Sequence, residues 1–137
     1  MKNIIDTVTD AGTFKNLIIA VQQADLVDSL SSDGPFTIFA PNDKAFEKLT
    51  KEKLDKLLLD KERLTDFLTY HVVADEFMYK NVTKMKQAKT INGKNINIRN
   101  SSTIRINKAR ILQKDIKCSN GVIHEIDQVL LPEEEKE

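Results

Sequence analysis

Apolar positions in the first half of the chain recur at helical spacing. Ile4, Ile5 and Val8 make a short apolar stripe that Asp10-Ala11-Gly12-Thr13 closes with a turn. Phe14, Leu17, Ile18 and Val21 repeat at intervals of three and four, and Leu26, Val27 and Leu30 continue after a break near Ala24-Asp25. Thr13 is placed to cap the second helix through its hydroxyl. Ser31-Ser32-Asp33-Gly34-Pro35 reads as a loop. Phe36 to Ala40 is a β-rich run bounded by that loop and by Pro41. A helix follows, with Asn42 or Asp43 as its cap and Ala45, Phe46 and Leu49 on its apolar face. Thr50-Lys51-Glu52-Lys53 opens another helix, carrying Leu54, Leu57 and Leu58. A further one takes Leu64, Phe67 and Leu68 into Tyr70-His71-Val72-Val73.

The second half changes period. Ile96 and Ile98, then Ile104 and Ile106, alternate with polar residues as half-buried strands do. Asn92-Gly93 predicts a hairpin-type turn after Thr90-Ile91, and Asn100-Ser101-Ser102 a second turn. Ile111-Leu112 and Val122-Ile123 supply two more strands around Ser119-Asn120-Gly121. Helices first and strands later predict an α+β class, with helices packed on an antiparallel or mixed sheet.

A length of 137 residues suits one domain with one core. With 40% hydrophobic and 31% charged residues, the composition is that of a folded, soluble protein. Lys plus Arg and Asp plus Glu stand at 21 each, but Glu133 to Glu137 hold four acids and one lysine. Residues 1–132 are therefore read as the domain, and 133–137 as an acidic tail or linker. The domain alone has 20 basic and 17 acidic residues, an excess too small to predict a nucleic-acid footprint. Cys118 is the sole cysteine, so no intramolecular disulfide forms. Beside Ile116 it reads as a small buried hydrophobe rather than a nucleophile. The apolar run Leu17 to Val21 falls far short of the roughly 20 residues that cross a membrane, and the N-terminus has no apolar signal-peptide region. A monomer is expected.

Catalytic signatures are sparse. His71 and His124 are the only histidines, and no His, Cys or carboxylate pair has a metal-ligand spacing. There is no Gly-x-Ser-x-Gly, and four glycines do not build a phosphate loop. No cofactor or metal is expected. Lys80, Lys84, Lys86 and Lys89 have few interleaved aromatics and read as a solvated face.

Two stretches carry more information. Thr37-Ile38-Phe39-Ala40-Pro41-Asn42-Asp43-Lys44-Ala45-Phe46 comes first; Asn120-Gly121-Val122-Ile123-His124-Glu125-Ile126-Asp127-Gln128-Val129-Leu130-Leu131-Pro132 comes second, with Tyr70-His71 between them. Together they resemble the signature boxes of the fasciclin domain, an adhesion module, over about Ile4 to Pro132. The resemblance implies a compact β-sandwich-like wedge edged by N-terminal helices, with the two boxes paired at its centre and Phe39 and Phe46 turned inward.

It also implies a non-catalytic module of the cell surface or extracellular space that recognises a surface protein or a polysaccharide. In animal members an Asp-Ile pair and the Tyr-His segment are credited with receptor contact, and Asp115-Ile116 and Tyr70-His71 match them here. An exposed Asp115 carboxylate would complete the coordination of a receptor-held divalent cation. The match departs from the animal pattern: no proline precedes Asp115, and Lys117 stands where an apolar residue is usual. The structural alternative has Asp115 bonding turn amides and Ile116 filling the core. Two other readings stay open. One is an enzyme or ligand-binding protein with a pocket near His71, His124 or Asp43; the other is a structural spacer of a larger surface protein. Asn81-Val82-Thr83 and Asn100-Ser101-Ser102 are sequons for N-linked glycan in a secretory route.

Overall fold

In a computed structural model, residues 2–100 and 104–130 are described. The first helices follow the apolar stripes: α1 (Ile4–Ala11), α2 (Lys15–Gln23) and α3 (Val27–Ser31). Gly12, at φ 78°, ends α1 in the left-handed conformation that glycine adopts freely. Asp25, at φ 57°, makes the break between α2 and α3. Strand β1 (Phe36–Pro41) then enters the core, and α4 (Asp43–Glu47), α5 (Lys51–Leu59) and α6 (Lys61–Thr69) follow. Asn42 caps α4 through Ala45 N–H at 2.8 Å, and Thr50 caps α5 through Lys53 N–H at 3.2 Å.

The expected Thr13 cap does not form. Phe14 is buried and occupies the cap position of α2 without a side-chain bond. The α2 amide at Asn16 is instead taken by Asp43 Oδ1 at 2.8 Å, while the Thr13 carbonyl accepts Asp43 N–H at 2.8 Å. The cap thus comes from the start of α4, 27 residues away.

The remaining elements are β2 (Val72–Val73), α7 (Tyr79–Val82), β3 (Gln87–Lys89), β4 (Asn95–Asn100), β5 (Ile104–Ile106), β6 (Ala109–Cys118) and β7 (Gly121–Ile126). All seven strands join in the order β2-β1-β7-β6-β5-β4-β3. Its second and third strands, β1 and β7, run parallel, Phe36 opposite Gly121 and Pro41 opposite Ile126, so the two boxes pair residue by residue. Asn100 ends β4, and the turn expected over Ser101-Ser102 lies outside the described residues, as do the 133–137 tail and the last two residues of the second box.

Alternating residues of this sheet feed two cores. Ile38, Ala40 and Ile123 pack with the helices around Phe46, Leu64 and Phe67. Phe39 and Ile126 face the other way and meet Tyr70, Ile96, Ile98, Ile104 and Ile106. Strands at opposite ends of the order share this second core, so one sheet curls around it. Its two edges touch where Ile91 N–H donates to the Val72 carbonyl at 2.8 Å. The α+β class stands, and the sandwich-like wedge is a single, nearly closed sheet with helices along one side.

Candidate functional site

Both histidines are held as neutral rings by backbone groups. At the end of α6, His71 Nδ1 lies 2.8 Å from the Phe67 carbonyl, and Nε2 is 2.9 Å from Leu130 N. A carbonyl only accepts and an amide only donates, so Nδ1 carries the proton. Burial pushes the His71 pKa down to about 4, against the smaller opposing effect of the Phe67 bond. His124 is the mirror case: Nε2–H donates to the Phe77 carbonyl at 2.8 Å, and Nδ1 accepts Asp115 N–H at 3.2 Å. Burial lowers its pKa, opposed by the Phe77 bond and the Asp115 charge. Tyr70 is fully buried, its hydroxyl donating to the Asn95 carbonyl and accepting from Asn107. Tyr70 and His71 therefore present no side-chain surface.

Asp115 sits in the second of two register shifts along β6, at φ 56°. Aspartate tolerates this left-handed geometry better than most residues, and the bulge aims it at another segment. Its Oδ1 accepts Tyr79 N–H at 2.7 Å. On the same segment, the Thr37 hydroxyl donates to the Asp75 carbonyl at 2.6 Å and accepts Phe77 N–H at 2.8 Å. Thr37, Asp115 and His124, from β1, β6 and β7, thus fasten residues 75–79 to the sheet. Lys114 Nζ lies 4.0 Å from the centre of the Tyr79 ring, a cation–π contact. Phe77, Met78 and Tyr79 remain half-buried. Ile116 is also half-buried but packs against the helical core. The Asp-Ile pair is split between the two sides of the sheet.

Sequence reasoning singled out Asp115 but did not foresee that Asp115, Thr37 and His124 would all bond the 75–79 segment. The partners lie 36 to 47 residues apart along the chain, and no local pattern reports such pairings.

The other polar residues of the boxes hold the fold. Asn120 Oδ1 accepts Ile4 N–H at 2.9 Å, and Nδ2 donates to the Leu30 and Ser32 carbonyls at 2.9 and 2.7 Å. A Cβ on Gly121 would meet the Phe36 carbonyl oxygen at 2.0 Å, so only glycine permits this approach of β7 to β1. Asn42 Nδ2 donates to Glu125 across the same strand pair at 2.8 Å. Asp127 takes both the amide and the guanidinium of Arg110, and its pKa is lowered by those bonds and by Lys48 and Arg110, although burial pulls the other way.

A shallow cleft of about 440 Å³ opens between the sheet edges, lined by Val73, Asp75, Phe77, Met85, Ala88 and Lys89 among others. Beside His71 the free space is about 20 Å³ and its walls are almost all apolar, enough for one water at most. Asp43 is occupied in capping α2. Among the described residues no group of three or more His, Cys, Asp or Glu is placed to hold a metal ion, and no helix is long and apolar enough to cross a membrane. Cys118 is buried, with its pKa raised by burial against a weaker effect of the Thr7 hydroxyl.

The family model of the fasciclin domain matches residues 12–132. Protein sll1483 of Synechocystis sp. is 39% identical over 132 residues, covering 94% of this chain and 73% of that protein. The transforming growth factor-beta-induced protein ig-h3 of Sus scrofa is 30% identical over 133 residues; the alignment spans 96% of this chain and 20% of that one. Among solved structures, a FAS1 domain pair from the insect cell adhesion molecule fasciclin I superposes with a TM-score of 0.77 at 21% identity, over 97% of this chain and 52% of that chain. That similarity concerns the fold.

Proposed function

The chain belongs to the fasciclin domain family, and on that premise we propose a non-catalytic adhesion module of the cell surface or extracellular space, whose partner is a surface protein or a polysaccharide. The observation that carries this reading is the clamp between strands β1, β6 and β7 and residues 75–79. Thr37, Asp115 and His124 spend polar atoms on fixing the backbone there, and Phe77, Met78 and Tyr79 are left half-exposed beside it. A patch held rigid before contact loses little conformational entropy when it binds. With both nitrogens of each imidazole engaged, neither ring is free to act as a general base or a metal ligand.

Within this patch Asp115 is the direct contact. Ile116, Tyr70 and His71 act through position, anchoring the bulge to the helical core and α6 to the close of the second box. The test compares Asp115→Asn with Asp115→Ala on a panel of cell-surface proteins and glycans. Asparagine keeps an acceptor for Tyr79 N–H and tolerates the left-handed backbone, while removing the charge; alanine removes both. If the carboxylate touches the partner, both variants lose binding, with the Asn variant still folded. Wild-type binding by Asp115→Asn with loss only in Asp115→Ala would reassign Asp115 to positioning. Failure of the wild-type chain to bind any panel member saturably overturns the reading.

A further inference from the structure

Eleven of the chain's 21 Lys and Arg residues lie between Phe77 and His124, against one of its 21 acidic residues, Asp115. That carboxylate is already bonded to the Tyr79 amide. The zero net charge of the whole sequence therefore conceals a strongly basic strand region, balanced by acids in the helical half and beyond His124. Segregated charge of this kind sets up a directional field that a neutral total does not reveal.

Strand register concentrates the charge further. Arg99 of β4 stands opposite Arg105 of β5, and Arg105 stands opposite Arg110 of β6. Their neighbours Ile98, Ile104, Ile106 and Ala109 are buried in the second core, so the three arginines share the outer face. At the usual strand spacing the row is roughly 10 Å long. Like charges directly opposite one another destabilise a strand pair, and here the relief is partial. Arg110 pairs with Asp127 at 3.0 Å, Arg105 donates to the Lys108 carbonyl at 3.0 Å, and Arg99 has no ion pair among the described residues. Lys89 of β3 and Asn95 and Asn97 of β4 extend the same exposed face.

We propose that the outer face of β3 to β6 binds an acidic polysaccharide, with the Arg99–Arg105–Arg110 row receiving its carboxylate or sulfate groups. The inference rests on the reading of the chain as a binding module and gives the partner its chemistry. A guanidinium fork donates two parallel hydrogen bonds to an oxyanion. The exposed amides of Asn95 and Asn97 offer donors and acceptors to sugar hydroxyls. Nucleic acid is a poorer fit. Single strands are held on aromatic platforms, whereas the aromatics bordering this region, Phe77 and Tyr79, are half-buried and Tyr79 is covered by Lys114. Duplex reading requires a helix or ribbon that enters a groove, and this face is the flank of a continuous sheet.

The experiment titrates the chain with polygalacturonate, heparin, neutral dextran and single-stranded oligothymidylate at low and high salt. The expected result is saturable binding to polygalacturonate or heparin, weakened by salt, with dextran inert; which of the two binds separates carboxylate from sulfate recognition. An Arg99→Gln/Arg105→Gln double variant, its fold checked by near-UV circular dichroism, loses roughly tenfold or more in affinity. Absence of binding to both acidic glycans, an unchanged affinity in the folded double variant, or tighter binding to oligothymidylate overturns the proposal. Capture of dextran or a surface protein without acidic-glycan binding overturns it while leaving the module reading intact. A chain that binds nothing overturns both.

Discussion

His71 places its imidazole between the Phe67 carbonyl and the Leu130 amide, so its titration is coupled to folding. Unfolded, the ring takes up a proton near its ordinary value of 6.5; folded, burial postpones this to about 4. Between those values the unfolded chain holds more protons. Stability is therefore complete above about pH 6.5 and is lost as the pH falls towards 4, by about 3 kcal/mol. His124, its pKa also lowered by burial, adds to the loss in the same direction. Urea midpoints measured from pH 7.5 to 4.5 should show the decline, and His71→Gln, though less stable throughout, should flatten it. A wild-type midpoint constant across that window would contradict a buried neutral His71. The sequence showed that both histidines sit among apolar residues, but not their partners. Leu130 is 59 residues from His71 and Phe77 is 47 from His124, and only the finished sheet brings them together.

Strands and helices were most legible where one face is buried and the chain pattern repeats. β4, with Ile96 and Ile98 inward, and α6, with Leu64, Phe67 and Leu68 inward, follow their periodicity. β6 was legible only in part, because its two register shifts break the alternation and let a ten-residue strand read as shorter pieces. The four-residue α7 carries too few apolar positions to announce itself. Cross-strand register is likewise invisible in a linear reading, and with it the arginine row. This row makes a prediction at the level of the strand pair. Arg99→Glu places an acid opposite Arg105 and should raise stability by about 0.5 kcal/mol at low salt, a gain that shrinks as salt screens the pair. The same change should abolish acidic-glycan binding. Thermal melts and titrations on one preparation would reveal the opposed effects; a variant that loses stability would show that the arginine row is not under electrostatic strain.

At the scale of the molecule, β1 and β7 decide whether the two cores act as one. Ile38, Ala40 and Ile123 enter the helical core, while Phe39 and Ile126 enter the strand core. Neither core is complete without this parallel pair, and Asn120 binds the pair to α1 and the end of α3 through three buried or partly buried hydrogen bonds. The boxes read from the sequence are thus the shared wall of the fold, which is why they report on architecture and say little about a contact surface. Residues chosen to join two cores are spent on joining them. Cooperative unfolding follows, since losing either core exposes one face of both shared strands. The chain has no tryptophan and two tyrosines, one of them Tyr70 in the strand core, whereas most helical residues surround the other core. Urea unfolding followed by tyrosine fluorescence and by circular dichroism at 222 nm should therefore give coincident transitions. If the helical signal is lost at lower urea than the tyrosine signal, the strand core survives alone, and β1 and β7 do not couple the two halves as their packing requires.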